Sequence, residues 1–278
     1  MDNIIGIGQC GTNIAEKFKQ YGIYNIYHID AAVEESEGVY SAKICGSHEE
    51  YAKASHLGLK DFLGEITGET LLITSSGKIS GMTGAVLQHL QAQQVSILYV
   101  KPDLSLGNDL QRLQHRATMG PLQEWARSGA LKHFSIVSNE AVQNILPQTS
   151  IIYKNDKINE YLASTIHMLN VFRNTDAAYG EKMVPKTASR ISTFASHHFS
   201  EEVEFSLPFH PLETESERHF YFAINENNIE QDKNLEQKIN NFVSQVDTRA
   251  DIKYSIHSTK YDSDYCFEII YTNMPESP

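Results

Sequence analysis

The 278-residue sequence has few cysteines and no long hydrophobic run. Its three cysteines, Cys10, Cys45 and Cys266, lie far apart, and no spaced histidine or cysteine motif accompanies them. The sequence therefore offers neither a disulfide framework nor a zinc ligand set, and we assign no metal ligand. No charged-then-apolar leader and no run of about eighteen apolar residues is present. We therefore predict a cytoplasmic protein without a membrane span.

Positive charge is also scarce. The chain has 23 lysines and arginines against 35 aspartates and glutamates, for a net charge of −12. Because contacts to a phosphate backbone need a basic surface, we predict no broad, direct nucleic-acid binding. Hydrophobic residues make up 41% of the chain, which is enough for a packed core.

Short apolar runs separated by helical or loop stretches fill the first half of the chain. These runs are residues 3–7, 23–29, 70–74, 95–100 and 133–137. Such alternation is typical of βαβ units, so the pattern predicts an α/β protein with a mostly parallel, Rossmann-like sheet.

The second half of the chain has a different pattern. Residues 151–173 show helical spacing without glycine or proline, and strand-like segments follow within 190–210 and 218–272. A charged helix is predicted at about 232–246. We therefore predict a nucleotide-binding domain over 1–150, a connecting helix over 151–173, and a smaller α+β domain over 174–278.

The first strand runs into a glycine-rich turn and then a helix. Gly6, Gly8 and Gly11 have the spacing G-x-G-x-x-G. Glycines let a backbone approach an anion closely, and a helix start presents unpaired N–H groups. With Asp30 near a ribose, this is the dinucleotide fingerprint, and one interpretation is an NAD-dependent Rossmann oxidoreductase.

A second interpretation comes from the residues within the loops. Gly8-Gln9-Cys10-Gly11-Thr12-Asn13-Ile14 resembles the G-Q-C-G-N-Q-I loop of tubulin, and Asn13 matches an asparagine of FtsZ. Ser80-Gly81-Met82-Thr83-Gly84 resembles a second phosphate loop, G-G-G-T-G, which an oxidoreductase does not need. The chain therefore resembles the tubulin/FtsZ family.

Three later segments carry the same resemblance. Lys101-Pro102 and Gly107 are similar to a T-K-P-F-x-x-E-G segment, and Arg112 lies close to the family's ribose-side arginine. Phe134 to Glu140 resembles I-V-I-P-N-D, which puts Asn139 at the guanine edge. Asn159-Glu160-Tyr161-Leu162 resembles D-N-E-A-L, whose asparagine contacts guanine. An asparagine amide offers the donor and acceptor that guanine needs.

The resemblance implies GTP or GDP as ligand, with Mg²⁺ on the phosphates. The implied binding residues, together with Asp30, are Gly8, Gln9, Cys10, Gly11, Asn13, Ser80, Gly81, Thr83, Gly84, Arg112, Asn139 and Asn159.

In this family the acidic loop after the long helix completes the nucleotide site of the next subunit. Asp176 matches the first acid of N-x-D-F-A-D; the second falls on Tyr179, so Glu181 is the nearest substitute. The resemblance thus implies head-to-tail filaments that hydrolyse GTP at the subunit interface, and an adaptor protein linking them to DNA or to the division machinery. Two alternatives stay open: a nucleotide-binding interaction protein that does not polymerise, and the NAD-dependent Rossmann oxidoreductase.

Overall fold

The computed structural model of the chain describes residues 1–64, 66–90, 94–146, 150–200, 207–246 and 248–277. Its strands are β1 (Asn3–Ile7), β2 (Asn25–Ala31), β3 (Val39–Ala42), β4 (Thr70–Thr74), β5 (Val95–Lys101), β6 (His133–Ser138), β7 (Ile191–His198), β8 (Glu217–Asn225), β9 (Asp251–Thr259) and β10 (Tyr265–Thr272). These strands form one sheet in the order β3-β2-β1-β4-β5-β6-β7-β10-β8-β9.

Helices cover both faces of this sheet. They are α1 (Gly8–Lys17), α2 (His48–Lys53), α3 (Leu59–Gly64), α4 (Thr83–His89), α5 (Asp109–Arg127), α6 (Asn139–Ile145), α7 (Lys154–Asn174), α8 (Glu226–Gln231) and α9 (Leu235–Ser244). Short 3₁₀ helices span Phe18–Tyr21 and Lys78–Met82. Across the described ranges, none of the helices has the length and apolar character needed to cross a bilayer.

The first six strands are parallel. Strands β1, β4, β5 and β6 are mostly buried, whereas β2 and the edge strand β3 are partly exposed. Every residue of β1 and β4 is buried, which explains why these strands are continuous apolar runs in the sequence. One core lies on the face covered by α4 and α5. The other lies on the face covered by α1 and the first half of α7. The α/β fold class predicted from the sequence is confirmed.

The remaining strands are mainly antiparallel. Strand β10 pairs antiparallel with β7 and β8, and β9 runs parallel to β8 along nine residue pairs. The end of α7 packs on one face of this part, and α9 packs on the other. Strands β6 and β7 join the two parts of the sheet through two residue pairs, Phe134–Ile191 and Ser135–Ser192. The predicted domain boundaries stay predictions.

Helix α7 runs from the carboxyl ends of the parallel strands to their amino ends. We call these two sides of the sheet the carboxyl edge and the amino edge. It begins after α6, which follows the carboxyl end of β6, and its last turn lies beside the amino ends of β4, β5 and β6. With 21 residues it is about 30 Å long. The start and the end of α7 therefore lie about 30 Å apart, at the carboxyl ends and the amino ends of the parallel strands respectively.

Candidate functional site

A cavity of about 320 Å³ lies at the carboxyl ends of the neighbouring strands β1, β4 and β5. Its lining comes from four segments: Ile7, Gly8, Gln9 and Cys10; Ser75, Ser76, Gly77, Ile79 and Ser80; Pro102, Asp103 and Leu104; and Gln111 and Gln114 of α5. In open α/β sheets, ligands bind outside the carboxyl ends of the strands, so this cavity has the expected position for a ligand site.

The first wall is the start of α1. Gly8 has φ of +68°, which favours glycine, and the preceding Ile7 offers no side-chain cap to the helix. No acidic residue lies in the first turn. The first N–H groups of α1 and the positive end of its dipole are therefore available to a negative ligand.

The two flanking glycines bring this helix close to the sheet. A Cβ on Gly6 would lie 2.5 Å from the Gly11 carbonyl carbon, and one on Gly11 would lie 2.3 Å from the Ile73 carbonyl oxygen. Because both obstacles are backbone atoms, neither position accepts a side chain without a shift. The G-x-G-x-x-G spacing thus fits a close approach of strand and helix.

The second wall is the turn after β4, which is rich in hydroxyl groups. Ser75 Oγ donates a hydrogen bond to the Val100 carbonyl at 2.6 Å, and Ser80 Oγ donates to the Gly77 carbonyl at 2.6 Å. Ser80 Oγ also lies 2.9 Å from Thr118 Oγ1, which lies 3.1 Å from His48 Nε2. This chain of contacts fixes the turn to both α5 and α2.

The third wall follows β5. Asp103, the single charged residue among the described lining residues, accepts a hydrogen bond from the Ser105 N–H at 2.9 Å. The Ser105 hydroxyl and, next, this N–H lower the pKa of the Asp103 carboxyl group. Arg112 donates to the Leu104 carbonyl at 2.9 Å and so holds the same segment from outside the cavity. No lysine or arginine is among the described lining residues.

Burial keeps the other titratable groups near the cavity neutral. Desolvation raises the pKa of the Cys10 thiol to about 11, so this thiol stays protonated at neutral pH. Tyr99 Oη lies 2.7 Å from His115 Nδ1, and burial lowers the pKa of His115 to about 4. This cavity therefore offers N–H groups, hydroxyls and one carboxylate, and it offers no thiolate nucleophile.

Four of the predicted binding residues line the cavity: Gly8, Gln9, Cys10 and Ser80. Most of the second predicted motif lies behind it. Gly81 packs against α2, where a Cβ would lie 2.0 Å from the His48 carbonyl oxygen. Thr83 is already the first residue of α4 and is 3% exposed, and Gly84 faces the Trp125 ring.

The remaining predicted residues near this edge also lie outside the lining. Asn13 is exposed on α1, and the Asp30 carboxylate accepts the Ala31 N–H at 2.8 Å. Asn139 is the first residue of α6, and its buried Oδ1 has no hydrogen-bond partner among the described residues. Asn159 is half-buried in the second turn of α7.

The predicted catalytic residues lie at the other edge of the sheet. Asp176 and Glu181 are exposed in the segment that follows α7. Backbone hydrogen bonds between Tyr179 and Ile256 attach this segment to β9.

Several lining residues have no role predicted from the sequence, among them Ser75, Ser76, Gly77, Asp103 and Gln114. A signal for the first three was present, because small and hydroxyl residues directly follow a buried strand. Separately, three possible metal ligands, His197, Cys266 and Glu268, lie together in the antiparallel part of the sheet, away from this cavity.

No protein-family model and no curated protein sequence matches this chain. Solved structures do match it. A GTPγS-form protofilament of TubZ from Bacillus thuringiensis serovar israelensis has a TM-score of 0.69 at 16% identity, over 98% of this chain and 87% of that one. CetZ2 from Haloferax volcanii, in a GTPγS-bound protofilament, has 0.70 at 13%, over 97% and 92%. An empty FtsZ dimer of M. jannaschii has 0.64 at 13%, over 98% and 88%.

The chain therefore has the tubulin/FtsZ fold. It is similar over nearly its whole length to TubZ, CetZ and FtsZ, and the resemblance identified from the sequence is confirmed at the level of the fold.

Proposed function

We propose that this chain is a divergent member of the tubulin/FtsZ superfamily that binds GTP or GDP in the cavity at the carboxyl edge of the sheet. The observation that carries the proposal is the convergence of two phosphate-binding features on one cavity. These are the uncapped start of α1 and the hydroxyl-rich turn from Ser75 to Ser80. The similar TubZ and CetZ2 structures contain GTPγS, which is consistent with this ligand.

The base side of the nucleotide is assigned to two asparagines. Asn139 and Asn159 belong to α6 and α7, which pack together at the edge where the cavity lies. The Oδ1 of Asn139, which has no partner among the residues that the structure describes, offers an acceptor at this position. A carboxamide supplies an acceptor and two donors, which suits the O6, N1 and N2 edge of guanine.

Mg²⁺ fits the cavity through Asp103. This ion is usually held by one or two carboxylates together with substrate phosphates, and Asp103 is the carboxylate available here. When bound, Mg²⁺ would supply charge neutralisation for the phosphates. The neighbouring hydroxyls and the start of α1 would orient them.

Hydrolysis is proposed to need a second copy of the chain. Asp176 and Glu181 lie beyond the end of α7, about 30 Å from the edge that holds the cavity. A carboxylate must be within hydrogen-bond reach of the attacking water, directly or through one water. Neither acid meets this condition in its own subunit, so head-to-tail association would bring it to the neighbouring nucleotide.

Exposed apolar side chains beside the cavity support self-association. Leu106 is 99% exposed, and Leu110 and Leu113 are also exposed in the first turns of α5. Such a group at the edge of a ligand site is typical of a protein contact surface. We further propose a cytoplasmic location and an adaptor that links the filament to DNA or the division machinery.

Nucleotide binding is tested first by mass identification of the nucleotide released on denaturation, and then with Gln9→Glu. This change adds a negative charge in the first turn of α1, where it also suits the helix dipole. We expect unchanged folding and at least about tenfold weaker GDP binding, measured by titration of a fluorescent GDP analogue.

The matched control for this change is Gln237→Glu, in the first turn of the equally long helix α9. We expect it to leave GDP affinity unchanged. Equal affinities for the two variants would remove the cavity assignment. Tighter binding of NADH than of GDP would favour the oxidoreductase interpretation.

The composite site is tested with Asp176→Asn and the exposed control Asp262→Asn. We expect Asp176→Asn to slow phosphate release about a hundredfold and to prolong light scattering by filaments. Mixing Asp176→Asn with Gln9→Glu subunits should restore part of the hydrolysis, because each variant supplies what the other lacks. No gain on mixing would contradict hydrolysis between subunits, and nucleotide binding without any light scattering would favour the non-polymerising alternative.

A further inference from the structure

A second cavity, of about 210 Å³, lies at the amino edge of the parallel strands. Its walls are the first residues of β4, β5 and β6, the last two turns of α7, and the stretch from Lys182 to Pro185. Because the amino and carboxyl ends of parallel strands lie on opposite sides of the sheet, this cavity is separated from the first by the length of the strands. It plays no part in the function proposed above.

The lining of the second cavity is cationic. Arg173, Lys182 and Lys132 contribute to it, and Glu69 is the single acid among the described lining residues. Glu69 is paired with Lys132. Arg173 and Lys182 make no hydrogen bond or ion pair within the described part of the chain. Arg173 is half-buried and Lys182 is exposed. In a protein with a net charge of −12, these two cations, which have no acidic partner among the described residues, make the cavity a locally positive site.

Buried polar atoms that have no partner among the described residues lie within electrostatic range of the same arginine. His133 Nδ1 is buried and has no hydrogen-bond partner among the described residues, and His133 itself lines the cavity. Behind it, His219 is fully buried and Tyr221 is 2% exposed. His219 Nδ1 and the Tyr221 hydroxyl also have no described partner, and both residues lie close enough to feel the charge of Arg173. His219 and Tyr221 do not line the cavity, whereas His133 does. Because an unpaired buried polar atom costs free energy, His133 Nδ1 is the atom for which a ligand or water in the cavity would supply a partner.

The charge of this cavity does not depend on histidine near neutral pH. Burial, reinforced by Arg173, Lys132 and Arg190, lowers the pKa of His133 to about 3. Burial likewise lowers the pKa of His219 to about 4. Both rings are neutral at pH 7, so each carries one N–H donor, and the positive charge comes from arginine and lysine.

We propose that the second cavity is a binding site for a small oxyanion with two negative charges, of the size of inorganic phosphate or a short dicarboxylate. The planar guanidinium of Arg173 suits two oxygens of one such group, and Lys182 provides a second positive charge. Neutral His133 can donate its ring N–H to a further oxygen. The volume lies below the range of drug-sized pockets, which favours a small ligand over a nucleotide.

Occupancy of this cavity reaches the segment that carries the proposed catalytic acids. Met183 and Val184 line the cavity, and they belong to the same segment after α7 as Asp176 and Glu181. An anion held between Arg173 and Lys182 ties the end of α7 to this stretch and orders it. The regulatory consequence for GTP hydrolysis rests on the proposed function, whereas anion binding itself does not.

The test is calorimetric titration of the full-length protein, saturated with GDP, with inorganic phosphate and separately with succinate at constant ionic strength. Saturation with GDP keeps phosphate out of the first cavity, and constant ionic strength removes general screening. We expect saturable binding of at least one anion, and the stronger of the two identifies the source of the oxyanion. Arg173→Gln should weaken that binding about ten- to a hundredfold.

Two further variants keep the result decisive. Lys182→Gln changes an exposed residue and should weaken binding about two- to fivefold without affecting folding. Arg127→Gln removes the same charge as Arg173→Gln, but from α5 on the opposite face of the sheet, and should leave anion binding unchanged. Amide exchange of residues 176–186 should slow when the anion binds.

Binding of neither anion would overturn the proposal, and so would equal binding by wild type, Arg173→Gln and Lys182→Gln. Failure of the chain to bind GDP would leave this test intact, because the dependence on Arg173 and Lys182 reports on the second cavity alone. The two proposals therefore fail independently.

Discussion

The two cavities occupy opposite edges of one sheet, and they offer a negative ligand different partners. At the carboxyl edge the described lining holds backbone N–H groups, hydroxyls and Asp103, without lysine or arginine. At the amino edge it holds Arg173, Lys182 and Lys132 together with the neutral His133. Anion binding at the carboxyl edge would depend on the position of the backbone, whereas anion binding at the amino edge would depend on which side chains are charged.

This difference determines which substitutions and which solution conditions each of the two cavities tolerates. A site made of backbone groups is lost when packing moves the backbone, and glycine contacts such as Gly11 against Ile73 control that packing. A site made of long cationic side chains depends on charge and on salt concentration. Substitutions at the two edges should therefore change different measurements.

The largest expected effect is on folding at the carboxyl edge. Gly11→Ala places a Cβ 2.3 Å from the Ile73 carbonyl oxygen, and a backbone obstacle of this kind should lower the free energy of unfolding by about 3 kcal/mol. Gly64→Ala, at the end of α3 with open space around it, should change it by less than about 1 kcal/mol. Urea unfolding measures both. Equal stability of the two variants would show that the close approach of α1 to β4 at Gly11 does not contribute to the free energy of unfolding.

The next effect concerns pH at the amino edge. The pKa of native His133 is lowered to about 3, below its ordinary value near 6.5, so the unfolded chain binds a proton in this range and the native chain does not. The free energy of unfolding should therefore fall as pH drops from about 6.5 towards 3, by about 1.4 kcal/mol per pH unit for this residue. His133→Gln should make the dependence shallower by that amount between pH 4 and 6.

The control for the pH experiment is His89→Gln, at an exposed position at the end of α4. Its stability should follow the wild-type pH dependence. A His133→Gln slope that matches wild type would mean that His133 takes up its proton in the native state.

The smallest expected effect is on the hydroxyl chain behind the candidate phosphate turn. Thr118→Val removes the oxygen that joins Ser80 to His48, and we expect a loss of about 1 kcal/mol of stability and about fivefold weaker GDP binding. Thr165→Val removes a buried contact of the same kind, to Ser196 at 3.0 Å, on α7. It should cost similar stability and leave GDP binding unchanged, so the difference between the variants isolates the turn.

The central parallel strands could be predicted because a strand that is buried on both faces has a continuous run of apolar residues in the sequence. Where the apolar pattern was weaker, the observed ends of the strands and helices differ from the predicted ones. Ile23 was predicted to begin a strand, but Gly22 ends the preceding 3₁₀ helix in a left-handed conformation, and β2 begins at Asn25. Ile151 and Ile152 were counted as part of the long helix, but both are exposed and α7 begins at Lys154. Strand β3 was not predicted, because four residues are too few to show a period.

The candidate cavity was predictable in position and only partly in composition. Spacing identified the turn at Gly8, since strand, glycine and helix follow one another without a gap. The likeness to a glycine-rich motif placed the second loop at residues 80–84. In the structure β4 ends at Thr74, so the turn that faces the cavity comes earlier in the chain, from Ser75 to Ser80. Thr83 is already the first residue of α4. The cationic cavity could not be predicted, because its residues come from distant parts of the chain.

The two-pair contact between β6 and β7 gives the molecule a narrow mechanical joint. Beyond Ser135 and Ser192 the strands separate, and the Phe209 backbone bonds to Ser138 on one side and Phe194 on the other. We expect strands β8 and β9, held together by nine residue pairs, to shift together if β6 and β7 rotate relative to each other. The segment attached to β9 at Tyr179 would then shift with them.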